Sequence, residues 1–236
     1  MSCVPCRPRR WSPEVGSGRA STSLPTDAAS ANARKTGPLK LLLASANAGK
    51  QREFGALLAP LGLELVLQSA LGIDSVAETG ATLEANALLK ARHAASRSGM
   101  PALADDSGLE VDALDGRPGV WSARYAGVAA TDDDNNARLL SELAGVPPER
   151  RGARYRCVLV LVRHAGDGAP LIASGIWEGR IATRRAGNGG FGYDPLFIPE
   201  GHDVSVAELP AAQKNALSHR GKALAALVAQ LECTAP

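Results

Sequence analysis

The segment Arg154–Val162 constrains this chain more than any other. It ends in an unbroken apolar run, Cys157-Val158-Leu159-Val160-Leu161-Val162, with none of the polar alternation of a strand that has one face in water. A run of that kind fits a buried central strand of a sheet. Around it the apolar period changes repeatedly. Leu41, Leu42 and Leu43 form a short buried strand entering a turn at Ala44-Ser45-Ala46-Asn47, and Phe54, Leu57, Leu58 and Leu61 then recur at helical spacing. Leu63–Leu67 reads as a second strand, Thr82 to Ser98 as a helix, and Ala102–Val111 as strand-like around an acidic turn. Thr131 followed by Asp132, Asp133 and Asp134 is a helix cap with acids in the first turn. Leu171–Trp177 is the expected neighbour of the central strand, and a last helix from near Ser218 presents Leu224, Leu227, Val228 and Leu231. Strands interleaved with helices give the α/β class.

The 236 residues suffice for one α/β domain or two closely packed lobes. Residues 1–38 carry few large apolar side chains and no period, so they are expected to be disordered, with the folded domain at 39–236. That leading segment has no apolar core of a secretory signal. Its Arg and Ser content, with Glu14 and Asp27 as its only acids, has the character of a transit peptide, and a flexible tail or an over-long assigned start is the plainer reading. Lys and Arg number 26 against 24 Asp and Glu, a near-balance that argues against a general nucleic-acid coat yet leaves room for a local basic pocket. Cys3, Cys6, Cys157 and Cys233 are too few and scattered for a disulfide framework, which suits a cytoplasmic protein. No apolar stretch approaches the roughly 18 residues of a membrane span.

Four stretches carry candidate chemistry. In Ser45-Ala46-Asn47-Ala48-Gly49-Lys50 a strand, a small-residue turn and a helix start form a phosphate cradle, because free backbone N–H groups point outward there. If Asn47 caps the helix, Lys50 lies in its first turn, where a cation is unfavourable unless an anion sits beside it; an ordinary helix start with a solvated lysine is the plainer alternative. The glycine spacing is not that of a Walker loop, and Gln51 stands where Ser or Thr would hold magnesium. In Asp105-Asp106-Ser107-Gly108, adjacent strand side chains point to opposite faces, so the two carboxylates have different jobs. A strand end that turns there could present hard oxygen ligands to Mg²⁺, with Glu78 a second carboxylate for the same ion. Gly187-Asn188-Gly189-Gly190-Phe191-Gly192-Tyr193-Asp194 combines four glycines with two of the chain's six Phe and Tyr residues, which suits close approach to a flat purine as well as it suits a glycine-rich hairpin. Ser218-His219-Arg220-Gly221-Lys222, with Lys214 upstream, crowds cations at another helix start, and the repetition favours a shared polyanion.

Together the blocks SANAGKQREF, LADDSGLEVDAL, GVWSARYAG, GNGGFGYDPLF and LSHRGKAL resemble, in order, the inosine triphosphate pyrophosphatase family, whose bacterial members are the dITP/XTP pyrophosphatases. The resemblance runs from about Leu39 to the C-terminal helix. It implies an elongated α/β fold with a mixed sheet and flanking helices, two lobes around a central cleft, a homodimer and Mg²⁺ dependence. It further implies that Ser45, Asn47 and Lys50 hold the triphosphate and that Asp106 is the general base or metal-linked carboxylate with Ser107 beside it. Phe191, Gly192, Tyr193 and Asp194 would line the base pocket, closed by Lys214, His219 and Arg220. Many relatives carry paired glutamates where this chain has Ala77 and Ala85, so the second anchor of the metal stays open. The implied reaction is hydrolysis of irregular purine nucleoside triphosphates to the monophosphate and pyrophosphate; a non-catalytic nucleotide sensor and a pyrimidine nucleotide pyrophosphatase of similar fold are the alternatives.

Overall fold

The computed structural model describes residues 40–234. The expectation of disorder over residues 1–38 falls outside them, as do Cys3 and Cys6. Among the described residues six strands are formed: β1 (Lys40–Leu43), β2 (Glu64–Leu67), β3 (Ala102–Val111), β4 (Gly152–Val162), β5 (Leu171–Ile181) and β6 (Phe197–Pro199). They lie in one sheet in the order β2-β1-β3-β4-β5-β6. β1 is parallel to both its neighbours, and the remaining pairs are antiparallel. The helices are α1 (Ala48–Leu58), α2 (Leu83–Ser98), α3 (Asp132–Glu142), α4 (Ala211–Leu217) and α5 (His219–Thr234).

The apolar run of β4 is inside the sheet, as its composition requires. Cys157, Leu159 and Leu161 pack with Phe54 of α1 and with Leu224 and Leu227 of α5 on one face. Val158, Val160 and Val162 pack with Ala87, Ala91 and Ala94 of α2 on the other. A third cluster, with Leu109, Val111, Tyr155, Trp177, Phe197 and Leu139, lies toward the far end of the same strands. β3, β4 and β5, ten or eleven residues each, are about 35 Å long. They run from one core to the next, which is what makes the molecule two lobes on one sheet.

Two local expectations are corrected. The acidic segment of β3 is no turn: Asp105, Asp106 and Ser107 stay in register opposite Leu159, Val158 and Cys157. The antiparallel ladder satisfies the backbone there, and cations supplied by the helices offset the carboxylate charges, so the polar run has no need to leave the sheet. Leu61 does not extend the buried face of α1. It sits in a separate 3-10 turn, Ala59–Leu61, and is 43% exposed. Pro60, which has no N–H to donate, stands where the α-helix gives way to that tighter turn.

Candidate active site

A cavity of about 690 Å³ opens where β1 stops. β1 pairs with β3 only through Leu42 and Leu43, and past that point β3 runs on against β4 with no β1 partner on its other edge. Its side chains from Asp106 to Leu109 border the space left beyond the carboxyl end of β1, the place where sheets of this class leave room for ligands.

The turn from β1 into α1 forms one wall. Asn47 caps α1, its side-chain oxygen accepting from the Lys50 N–H at 3.0 Å. Ser45 Oγ accepts from the Asn47 N–H at 3.3 Å, and Gln51 Nε2 donates to the Ser45 carbonyl at 2.8 Å, so both ends of the turn are tied. Lys50 does lie in the first helical turn, but the anion beside it belongs to the protein. Its Nζ is 2.7 Å from Asp105, a residue only 1% exposed. Burial alone would push the Asp105 carboxyl up; the Lys50, Arg220 and Lys90 charges outweigh it and hold the group well below the usual carboxylate range.

Strand alternation gives the neighbouring carboxylate to the opposite face. Asp106 accepts from Lys90 at 2.9 Å and from Asn86 Nδ2 at 3.2 Å, both on α2. Burial pushes its carboxyl up, opposed by the Lys90 and Lys50 charges. A group whose proton affinity is raised in this way is closer to what a general base needs. Lys90 also binds Glu78 at 2.8 Å, and Arg124 binds Glu78 at 3.1 Å. Burial would raise Glu78 as well, but Lys90 and its other cationic neighbours prevail and lower it. Ser107 donates its hydroxyl to Asp105 at 3.1 Å.

Glu78 and Asp106 therefore aim carboxylate oxygens at one cation. Those hard donors fit a magnesium ion bound by one or two carboxylates, the rest of its shell being phosphate oxygens and water. Among the described residues no group of three or more His, Cys, Asp or Glu converges, so an all-protein cage is not the arrangement that fits.

The other wall joins the glycine-rich loop to the junction of α4 and α5. The Phe191 ring packs directly on Gly49, where an added Cβ would stand 2.5 Å from Cδ1. Behind the ring, the Lys214 ammonium lies 4.7 Å and the Arg220 guanidinium 5.1 Å from its centroid. Lys214 binds Glu53 at 2.6 Å and Asp194 at 2.5 Å. Arg220 binds the other Glu53 oxygen at 2.9 Å, while its Nε, 3.6 Å from Asp105, makes no hydrogen bond. Tyr193 is buried and donates its hydroxyl to the Ser122 carbonyl at 2.8 Å. His219, 2% exposed, stacks on Tyr155 at 4.7 Å with both ring nitrogens unpartnered. Burial and the Arg220 and Lys214 charges push its pKa well down, so the ring is neutral.

Ser45, Ala46, Asn47, Lys50, Glu78, Asp106, Ser107, Phe191, Gly192, Tyr193, Asp194, His219 and Arg220 all border the cavity. Ala48 does not border it and is exposed; Gly49 and Lys214 lie behind Phe191. Glu53, Asn86, Lys90 and Arg124 also build the site, although the sequence assigned none of them a role. Glu53 and Asn86 are buried polar side chains on helix faces otherwise filled by Phe54, Leu58, Ala87 and Ala91. A polar residue inside an apolar stripe is the signal that marks them, and Lys90 follows Asn86 at i+4 on the same face.

The sequence model of the Ham1 family matches residues 41–230. The chain is 62% identical over 192 residues to a dITP/XTP pyrophosphatase of Methylococcus capsulatus, covering 81% of this chain and 96% of that protein. It is 53% identical over 192 residues to one of Vibrio parahaemolyticus, at the same coverage. Among solved structures it resembles a Ham1 protein from Coxiella burnetii with a TM-score of 0.75 and 45% identity, covering 82% of this chain and 98% of that one. A nucleoside-triphosphatase / dITP/XTP pyrophosphatase from Mycobacterium abscessus gives 0.64 and 45%, over 80% and 99% of the two chains.

Proposed function

This chain belongs to the Ham1 family, and from that membership we propose that it hydrolyses irregular purine nucleoside triphosphates, of the inosine, deoxyinosine and xanthosine type, to the monophosphate and pyrophosphate, cleansing the nucleotide pool. The observation that carries the reading is a single cavity whose lining combines a capped helix start, paired cations and carboxylates, and an aromatic ring packed on that helix start.

The triphosphate lies against Ser45, Ala46, Asn47 and the free N–H groups of the first turn of α1, with the base beside Phe191. Water attacks the α-phosphorus in line and pyrophosphate leaves. Transfers of this kind depend mainly on positioning and neutralisation of charge. Asp106 takes the proton of the attacking water. Lys50 offsets the charge building on the leaving pyrophosphate, and Lys90 keeps Asp106 and Glu78 oriented until phosphate oxygens compete for it. A magnesium ion held by Asp106 and Glu78 with the phosphates would supply Lewis-acid neutralisation. Beside Phe191, Arg220 has donors only and meets the oxygen at C6 of the irregular purines. A cytoplasmic homodimer completes the reading; no helix among the described residues is long and apolar enough to cross a membrane.

The test is pyrophosphate release from inosine, xanthosine, adenosine and guanosine triphosphates with a divalent cation present. Inosine and xanthosine triphosphates should be strongly preferred. Asp106→Asn should lose about 10²–10⁴-fold in turnover while still binding nucleotide. Comparable kcat/KM on adenosine and inosine triphosphates would refute the function, and a near-normal Asp106→Asn enzyme would refute the role of the base.

A further inference from the structure

The run Asp132-Asp133-Asp134-Asn135-Asn136 does more than begin a helix. One hydrogen-bonded box, Thr131 with Asp134, already caps α3. The other side chains of the turn are spent elsewhere. Asp132 accepts from the Gly192 N–H at 2.6 Å, and Asn136 donates to the Gly192 carbonyl at 2.8 Å, so one peptide residue is held by both its polar atoms. Asn136 also donates to the Asp132 carbonyl at 2.7 Å. Its amide nitrogen thus faces two carbonyls, which fixes the orientation of the group. The side chain is fully buried and its oxygen has no partner. A buried polar group kept at that cost is not there for packing.

Gly192 has a φ of +63° and Gly190 one of +74°, in a loop with little backbone preference of its own. Phe191 and Asp194 on either side of Gly192 depend on that loop for their aim, and the Phe191 N–H in turn donates to Asp194 at 2.9 Å. Asn135 makes the matching ties to the facing loop. It donates to the Ala123 carbonyl at 3.2 Å and accepts from the Ala126 N–H at 2.8 Å, on either side of Arg124, the cation bound to Glu78.

We propose that the first turn of α3 is a positioning clamp for the purine end of the cleft, in which Asp132 and Asn136 fix the Gly192 peptide so that Phe191 and Asp194 keep their place against the base. The clamp rests on the functional reading above. The Asp132 and Asn136 contacts to Gly192 act on recognition of the base and not on the phosphate chemistry, so they separate two quantities that a general loss of structure would move together.

The experiment compares wild type, Asp132→Ala and Asp132→Asn. The Asp132 side chain is exposed, so its removal leaves the fold standing. In Asp132→Ala the KM for inosine triphosphate should rise on the order of tenfold, the loss of one charge-assisted hydrogen bond. Turnover should change by less than about threefold, and inhibition by pyrophosphate, which has no base, should stay as it was. Asp132→Asn keeps an acceptor toward Gly192 and should return KM close to wild type. Asn136→Asp puts an acceptor before two carbonyls and should raise KM further. An unchanged KM in Asp132→Ala overturns the clamp, as does an equal weakening of pyrophosphate inhibition or a failure of Asp132→Asn to restore KM. A wild-type protein that releases no pyrophosphate from inosine triphosphate overturns the functional reading and the clamp with it.

Discussion

Replacing Asp105 with asparagine removes one charge from the interior and almost no volume, so its effect on stability isolates electrostatics. The carboxylate is 1% exposed and faces Lys50 at 2.7 Å and Arg220 at 3.6 Å. At an effective dielectric near 20, unit charges at the shorter distance attract by about 6 kcal/mol before the cost of desolvating them. Removing one partner of a buried pair generally costs about 3–5 kcal/mol. The figure here should be smaller, because Arg220 keeps Glu53 and the Lys50 side chain is 15% exposed. A loss of about 2–3 kcal/mol is expected, which lowers Tm by roughly 5–10 °C in a domain of this size. The effect also has a sign in pH. Asp105 is more acidic folded than unfolded, so its contribution is complete above the unfolded carboxylate value of about 4. It is lost as pH falls from there toward the folded pKa. Urea unfolding at pH 7 and at steps down to pH 3 should show the gap between wild type and Asp105→Asn narrowing in acid. Equal stability at pH 7, or a gap that stays constant to pH 3, would refute the argument.

Three further outcomes are expected. Lys50→Ala should reduce triphosphate turnover more than it weakens inhibition by inosine monophosphate, and equal losses for both ligands would mean that Lys50 does not serve the distal phosphates. Arg220→Ala should lose more kcat/KM on inosine than on adenosine triphosphate, because an unmet acceptor matters more than an ordinary contact; an unchanged ratio would remove Arg220 from base selection. Deleting residues 1–38, which carry no apolar period, should leave turnover and Tm essentially as they are, with a Tm loss of several degrees deciding against it.

The sequence alone determined those parts of the protein that depend on neighbours along the chain. The apolar run of β4 required a strand covered on both faces, Thr82 and Thr131 marked helix starts that their side chains do cap, and Asn47 placed Lys50 in the first turn of α1. Strand alternation was enough to assign Asp105 and Asp106 to different surroundings. Tertiary structure alone decided who those surroundings are. The misplaced cation Lys50 pointed to an anion, and the anion in place is Asp105 of β3. Arg220 at the start of α5 reaches back to Glu53 in α1, 167 positions earlier. The continuity of β3 through its acidic residues was equally invisible locally, since an isolated Asp-Asp-Ser-Gly favours a turn and only the ladder from β4 with the cations of α1, α2 and α5 makes the strand the better state. Periodicity and capping act over a turn of helix or a few residues of strand. Charge pairing in a buried cleft acts over a few ångströms of space, and which residues share those ångströms is settled by how the helices pack on the sheet.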